Sequence, residues 1–206
     1  MMSVEALRFD HALAYRLIQP GSRVLDLGCG RGELLKALES KGVTGYGIDR
    51  DFARVLDATG KGVSVLQMDI DAGLHGFRDQ SFDTVILCRT LPVVREPLGA
   101  LNEALRIGRD VLVSFPNFAF GGVINSLLDT GRMPVTDDLP YGWHNTPNIH
   151  LFTVNDFLDC MRGAGVRVLA GYLRTSEGVV EYSEGESANA REAFFSISAS
   201  ETVPAS

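Results

Sequence analysis

Val24-Leu25-Asp26-Leu27-Gly28-Cys29-Gly30-Arg31-Gly32 reads as a short buried strand that runs into a glycine turn and out into a helix. Glycine lets a backbone reverse sharply, and without a Cβ it lets a ligand come close to the main chain. The spacing is G-x-G-x-G, which differs from the G-x-G-x-x-G that holds a dinucleotide pyrophosphate. No Lys-Ser/Thr pair follows, so it is not a phosphate loop either. Asp26, two residues ahead of Gly28, argues the same way. A carboxylate there repels phosphate and attracts an ammonium group.

Upstream of this stretch, Val4, Leu7, Ala14, Leu17 and Ile18 give residues 4–18 helical spacing, stopped by Pro20-Gly21. Downstream, helices are predicted over 33–40, 51–59 and 98–107, and strands over 43–48, 63–68, 82–87 and 110–115. Strands alternating with helices, each strand an almost continuous apolar run, predict a mostly parallel α/β sheet with helices on both faces. The fold class is therefore a three-layer, Rossmann-like α/β fold. After Pro116 the rhythm breaks, and the proline- and aromatic-rich residues 116–150 read as a structured insertion with one helix near 123–128. Thr153 opens a helix with Val154, Phe157, Leu158 and Met161 on one face, and residues 166–173 read as a strand. Residues 193–197 read as a last strand, antiparallel at or beside the sheet edge, and 175–192 as a polar loop. One domain is expected over 1–198, with a polar tail at 199–206.

Composition narrows the classes of function. A chain of 206 residues that is 45% hydrophobic and 22% charged can build a full core without crosslinks. Its 19 basic and 26 acidic residues leave a charge of −7, so no overall field draws it onto nucleic acid or an anionic membrane. Cys29, Cys88 and Cys160 form no CxxC pair, and His11, His75, His144 and His150 show no zinc spacing, so no metal site is expected. No long uncharged apolar run and no signal-peptide pattern is present, and the expectation is a cytoplasmic protein.

Two further acids stand at strand ends, the rim where open α/β sheets bind ligands. Asp49 closes the second strand, where a carboxylate accepts from both hydroxyls of a ribose. Asp69 closes the third, where it accepts from the exocyclic amine of an adenine; alone it would serve as a helix cap, and Asp71 competes for the adenine role. Acids for ammonium, ribose and adenine, without a phosphate cradle, describe S-adenosylmethionine (SAM) or S-adenosylhomocysteine. The expected contacts are Asp26, Gly28, Cys29, Gly30, Gly32, Asp49, Arg50, Met68, Asp69, Ile70 and Cys88. Cys88 reads equally as the methionine-side wall or as a small buried core thiol.

Residues 24–32 resemble motif I of class I SAM-dependent methyltransferases, with Asp49 and Asp69 at the second and third acidic positions, over residues 22–115. A narrower resemblance runs from about Gly21 to about Val168. It is carried by Ser114-Phe115-Pro116-Asn117-Phe118, Gly131-Arg132-Met133-Pro134-Val135-Thr136, Leu139-Pro140-Tyr141 and Thr146-Pro147-Asn148-Ile149-His150-Leu151, which are similar to the MetW family of methionine biosynthesis. That resemblance implies the methyltransferase fold and association with a homoserine O-acyltransferase (acetyl or succinyl), and thus a pathway and a partner that spacing could not supply. Arg50 departs from the apolar residue usual in the family, and Ala119-Phe120-Gly121 from its Gly-His-Trp.

No catalyst of methyl transfer is legible. Cys88-Arg89-Thr90-Leu91 is not the Asn/Asp-Pro-Pro-Tyr/Phe that holds an amino group, and His144 and His150 are the only histidines plausible as a base. His150 reads as structural or rim-lining, and Arg89 as half of a surface ion pair, the other reading being a holder of a carboxylate. The expected function is a SAM-binding accessory protein that activates or regulates the acyltransferase; the alternative is an active methyltransferase on a small molecule.

Overall fold

The computed structural model describes residues 7–185 and 187–199. The first residues of the predicted N-terminal helix and the predicted tail beyond Ala199 lie outside them. The chain alternates α1 (Phe9–Leu17), β1 (Arg23–Leu27), α2 (Glu33–Leu38), β2 (Thr44–Asp49), α3 (Phe52–Gly60), β3 (Ser64–Gln67), β4 (Phe82–Cys88), α4 (Pro97–Ile107) and β5 (Gly108–Pro116). Then follow α5 (Gly121–Thr130), α6 (Val154–Gly163), β6 (Arg167–Arg174), β7 (Val179–Glu181) and β8 (Glu192–Ser198). Single 3-10 turns cover Glu39–Lys41, Ile70–Ala72 and Leu91–Val93.

One sheet of order β3-β2-β1-β4-β5-β8-β6-β7 crosses the molecule. Its first five strands are parallel, and β8 lies antiparallel to both β5 and β6. Parallel strands must be covered on both faces, and two apolar cores do this. Leu34, Leu35 and Leu38 of α2 join Leu13 and Ala14 of α1 and Ala58 of α3 on one face. Leu101 and Ala104 of α4 join Phe157 and Met161 of α6 on the other. Local chemistry fixes the helix starts. The Asp51 carboxylate accepts the Ala53 and Arg54 N–H groups, and Thr153 with Asp156 forms a reciprocal capping box.

Two expectations are corrected. The last strand is antiparallel but not at or beside the edge, because β8 sits between β5 and β6. Its side chains suit that place: Phe194 and Phe195 are adjacent, point to opposite faces and are both fully buried, so the strand is covered on both faces. The region read as a plain loop, 175–192, contains β7, whose Val179 and Val180 pair with Arg174 and Leu173.

The connection from β3 to β4 carries a 3-10 turn and no helix. On the α4 side, the sheet is therefore uncovered over β2 and β3, where Tyr46 and Leu66 are 41% and 51% exposed.

Candidate functional site

At the C-terminal ends of β1, β2 and β4 a cleft of about 420 Å³ opens between the glycine turn, Asp49, Met68–Asp71, Cys88–Thr90 and the loop carrying Tyr141 and Asn148. The turn needs its glycines for different reasons. Gly28 has φ +84°, and a Cβ there would meet Thr90 Oγ1 at 2.7 Å. The two elements touch because Thr90 Oγ1 donates to the Leu27 carbonyl, tying β1 to the end of β4. Gly30 has φ +57° and nothing within 4 Å of an added Cβ, so its open side is available to a ligand.

Asp49 is 5% exposed and organises the turn. Its Oδ2 accepts the Gly30 N–H and its Oδ1 the Asp51 N–H, each at 2.9 Å. A carboxylate accepts about four hydrogen bonds, so two lone-pair directions remain. Asp69 and Asp71 differ in what already holds them. Asp71 accepts the backbone N–H groups of Arg95 and Glu96, pinning the start of α4. Asp69 accepts only the Asp71 N–H, and Arg95 stands 3.5 Å from its other oxygen.

Of the eleven expected contacts, nine line the cleft: Gly28, Cys29, Gly30, Asp49, Arg50, Met68, Asp69, Ile70 and Cys88. Gly32 instead faces Ala58 and Val63, and Asp26 lies beneath the turn at 2% exposure. Cys88 fits both of its readings, being buried and in the cleft wall. Burial raises the pKa of the Cys29 and Cys88 thiols, so both stay protonated.

Asp26 is pushed up to about 7, first by burial and then, against the pull of Arg8, by Asp10, Asp49 and Glu33. The folded protein therefore holds a proton there that the unfolded chain releases near pH 4, and this advantage disappears as pH rises through 7. Asp26→Asn removes the dependence. Relative to the parent, it is expected to be more stable above pH 7 by up to about 4 kcal/mol, with the gap closing toward pH 4. Melting curves from pH 4.5 to 8.5 test this, and parallel pH profiles for the two proteins would refute it.

The far end of the cleft was not legible in the sequence. Arg8 Nε and Nη2 donate to the two oxygens of Asp10 at 3.1 and 2.9 Å, and Nη2 lies 2.8 Å from His11 Nε2. Ser114 Oγ also donates to Asp10. Asp10, His11 and Cys88 offer ligand atoms within 4.8 Å of one another, but Arg8 already occupies the carboxylate and the imidazole.

His11 corrects the reading that only His144 and His150 are plausible as a base. Neither of those lines the cleft, whereas His11 does. His150 Nε2 faces the Arg95 carbonyl, and His144 stacks edge-on against Trp143, which is 84% exposed. Burial, only partly offset by Asp10, pushes His11 down to about 4, so it is a weak base with its Nε2 facing a guanidinium.

Arg89 is corrected too, since its ion pair is buried. Its Nε and Nη2 donate to Glu192 at 2.7 Å each, with Glu192 1% exposed. Arg174 links Glu192 to Asp138, and Arg191 reaches Asp138 as well. This chain of charges ties the loop after α5 to the sheet.

The sheet order, the glycine turn after β1 and the acids at the ends of β2 and β3 define a class I, SAM-dependent methyltransferase fold. A SAM-dependent methyltransferase of Thermotoga maritima superposes with a TM-score of 0.67 at 20% identity, covering 91% of this chain and 86% of that one. One from Archaeoglobus fulgidus also gives 0.67, at 16% identity and 95% and 94% coverage. Residues 8–196 match the family described as Methionine biosynthesis protein MetW, and the chain belongs to that family. A bifunctional methionine biosynthesis protein MetXA/MetW of Rhodopirellula baltica is 36% identical over 165 residues, 75% of this chain. The match spans 26% of that relative's length.

Proposed function

We propose that the cleft binds S-adenosylmethionine and that the chain acts with a homoserine O-acyltransferase, reporting the level of the pathway's end product to it. The observation that carries the cofactor is the pairing of Asp49 with Gly30, which leaves free acceptor positions beside an open stretch of main chain. The donor set also fits. Asp49 and Asp69 suit ribose and adenine, Asp26 beneath the turn gives up its proton when an ammonium group settles beside it, and Arg8 in the cleft wall suits the methionyl carboxylate. The partner is supported by the relative in which a region like this chain is fused within a protein named MetXA/MetW. Fusion holds two modules at high effective concentration, which is useful when they work as a complex.

A regulatory role agrees with the groups at the methyl end. Among the described residues lining it, His11 faces Arg8, Arg89 is held by Glu192 and Cys88 is protonated, so no strong base is poised there. The second reading, methyl transfer to a small acceptor, is favoured by the space under Tyr141 and Asn148.

One experiment separates the two: the acyltransferase rate with and without this chain while SAM is titrated, with S-adenosylhomocysteine measured in parallel. The expected result is a rate that responds to the chain and to SAM, with no S-adenosylhomocysteine formed. An unchanged rate refutes the proposal, and turnover of SAM establishes the second reading.

A further inference from the structure

The uncovered sheet face forms a groove of about 720 Å³ that shares no lining residue with the cofactor cleft. Its floor is Leu25, Tyr46, Ile48, Leu66, Phe77 and Phe82. Leu25, Ile48 and Phe82 are buried at its base, and Tyr46 and Leu66 are the apolar side chains it exposes. It is bounded by β3, the outermost strand, whose Ser64-Val65-Leu66-Gln67 carries neither charge nor proline. Natural edge strands generally carry such residues to block pairing with other chains, and this one does not.

The charges around it are one-sided. Arg23 and Arg78 are the only charged lining residues, in a protein of net charge −7. The Arg23 guanidinium lies over the Phe82 ring at 5.3 Å, turned along the groove. Among the described residues neither arginine has an ion-pair partner. Asp83, the neighbouring acid, accepts the Arg23 backbone N–H and pairs with Arg109.

We infer that this groove docks an extended, acid-bearing segment of the partner acyltransferase, which adds a strand to β3 and seats its apolar side chains on Tyr46 and Leu66. The inference rests on the partnership proposed above. Strand addition supplies affinity through main-chain hydrogen bonds and selectivity through alternate side chains. The two unpaired arginines select acidic residues beside those apolar ones. A second copy is the poorer occupant, because in an isologous contact this patch faces itself and its lining offers no acid to the arginines of the other copy.

The test is titration of the homoserine O-acyltransferase from the same source into the parent chain, Arg23→Glu/Arg78→Glu and Leu66→Asp. All three positions are exposed, and melting curves and SAM binding check the fold of each variant. Both variants are expected to bind at least ten-fold more weakly with SAM affinity unchanged. In the parent complex, hydrogen exchange at the Ser64–Gln67 amides is expected to slow at least ten-fold.

Parent-like binding by both variants, with no slowing at β3, overturns the docking site and leaves the partnership standing. No complex even with the parent overturns both. A parent dimer lost in Leu66→Asp overturns the inference in favour of a second copy.

Discussion

Replacing Asp49 with alanine is expected to weaken SAM binding at least 100-fold. In the free protein the carboxylate already holds the Gly30 and Asp51 N–H groups, so it orients the turn before any ligand arrives. Its remaining lone pairs are the acceptors proposed for the two ribose hydroxyls. A hydrogen bond to a charged group contributes about 1.5–3 kcal/mol, and two of them exceed the roughly 2.7 kcal/mol that separates affinities by 100-fold. Alanine removes both and also leaves the Gly30 N–H without its acceptor, so the loss is set by a site that is both incomplete and loosened. Calorimetric titration of the two proteins decides it. Affinity retained within ten-fold would place the nucleoside elsewhere.

Glu192→Ala is expected to be the most destabilising single change at the Arg89 end of the cleft, by about 3–5 kcal/mol. Glu192 opens β8 and is fully enclosed, with Arg89 donating twice at 2.7 Å and Arg174 at 3.3 Å. Arg89 sits at φ +55°, a backbone conformation that non-glycine residues adopt at a cost and that the bidentate pair helps to hold. Truncating the acid strands the Arg89 guanidinium in the cleft wall and leaves Arg174 with Asp138 alone. For a domain of this size the loss corresponds to a fall in melting temperature of roughly 10 °C. Scanning calorimetry tests it, with Glu192→Gln expected to fall between the two. A drop under about 1 kcal/mol would show that the pair merely offsets its own desolvation.

What the sequence disclosed follows from the range of the forces involved. The turn at Gly28–Gly32 and the acids at 49 and 69 could be picked out because each stands at the end of an apolar run, a pattern written in neighbouring residues, whereas the contact of Asp49 with Gly30 joins residues 19 apart. The parallel half of the sheet was legible because its strands are continuously apolar. Arg8 and His11 were not, because they reach the cleft only when α1 packs on α2, and no spacing records that contact. Asp138 likewise finds Arg174 36 residues away and Arg191 53 residues away. β7 is three residues long, too short for a period to show. The place of β8 was missed because it depends on pairing with β5 and β6, and adjacent phenylalanines signal cover on both faces without saying which strands flank them.

The position of β8 also orders events in time. Residues 192–198 are the last of the sheet to leave the ribosome, yet they fill a gap between strands made 76 and 18 residues earlier, counted from Pro116 and Arg174 to Glu192. Until they arrive, β5 has a bare flank and the β6–β7 hairpin has nothing to join. The half of the sheet that carries the glycine turn can pair before residues 192–198 exist, whereas the half that carries Glu192 cannot. The lock on Arg89 thus needs Glu192 in place, and that end of the cleft is complete only once β8 has joined the sheet.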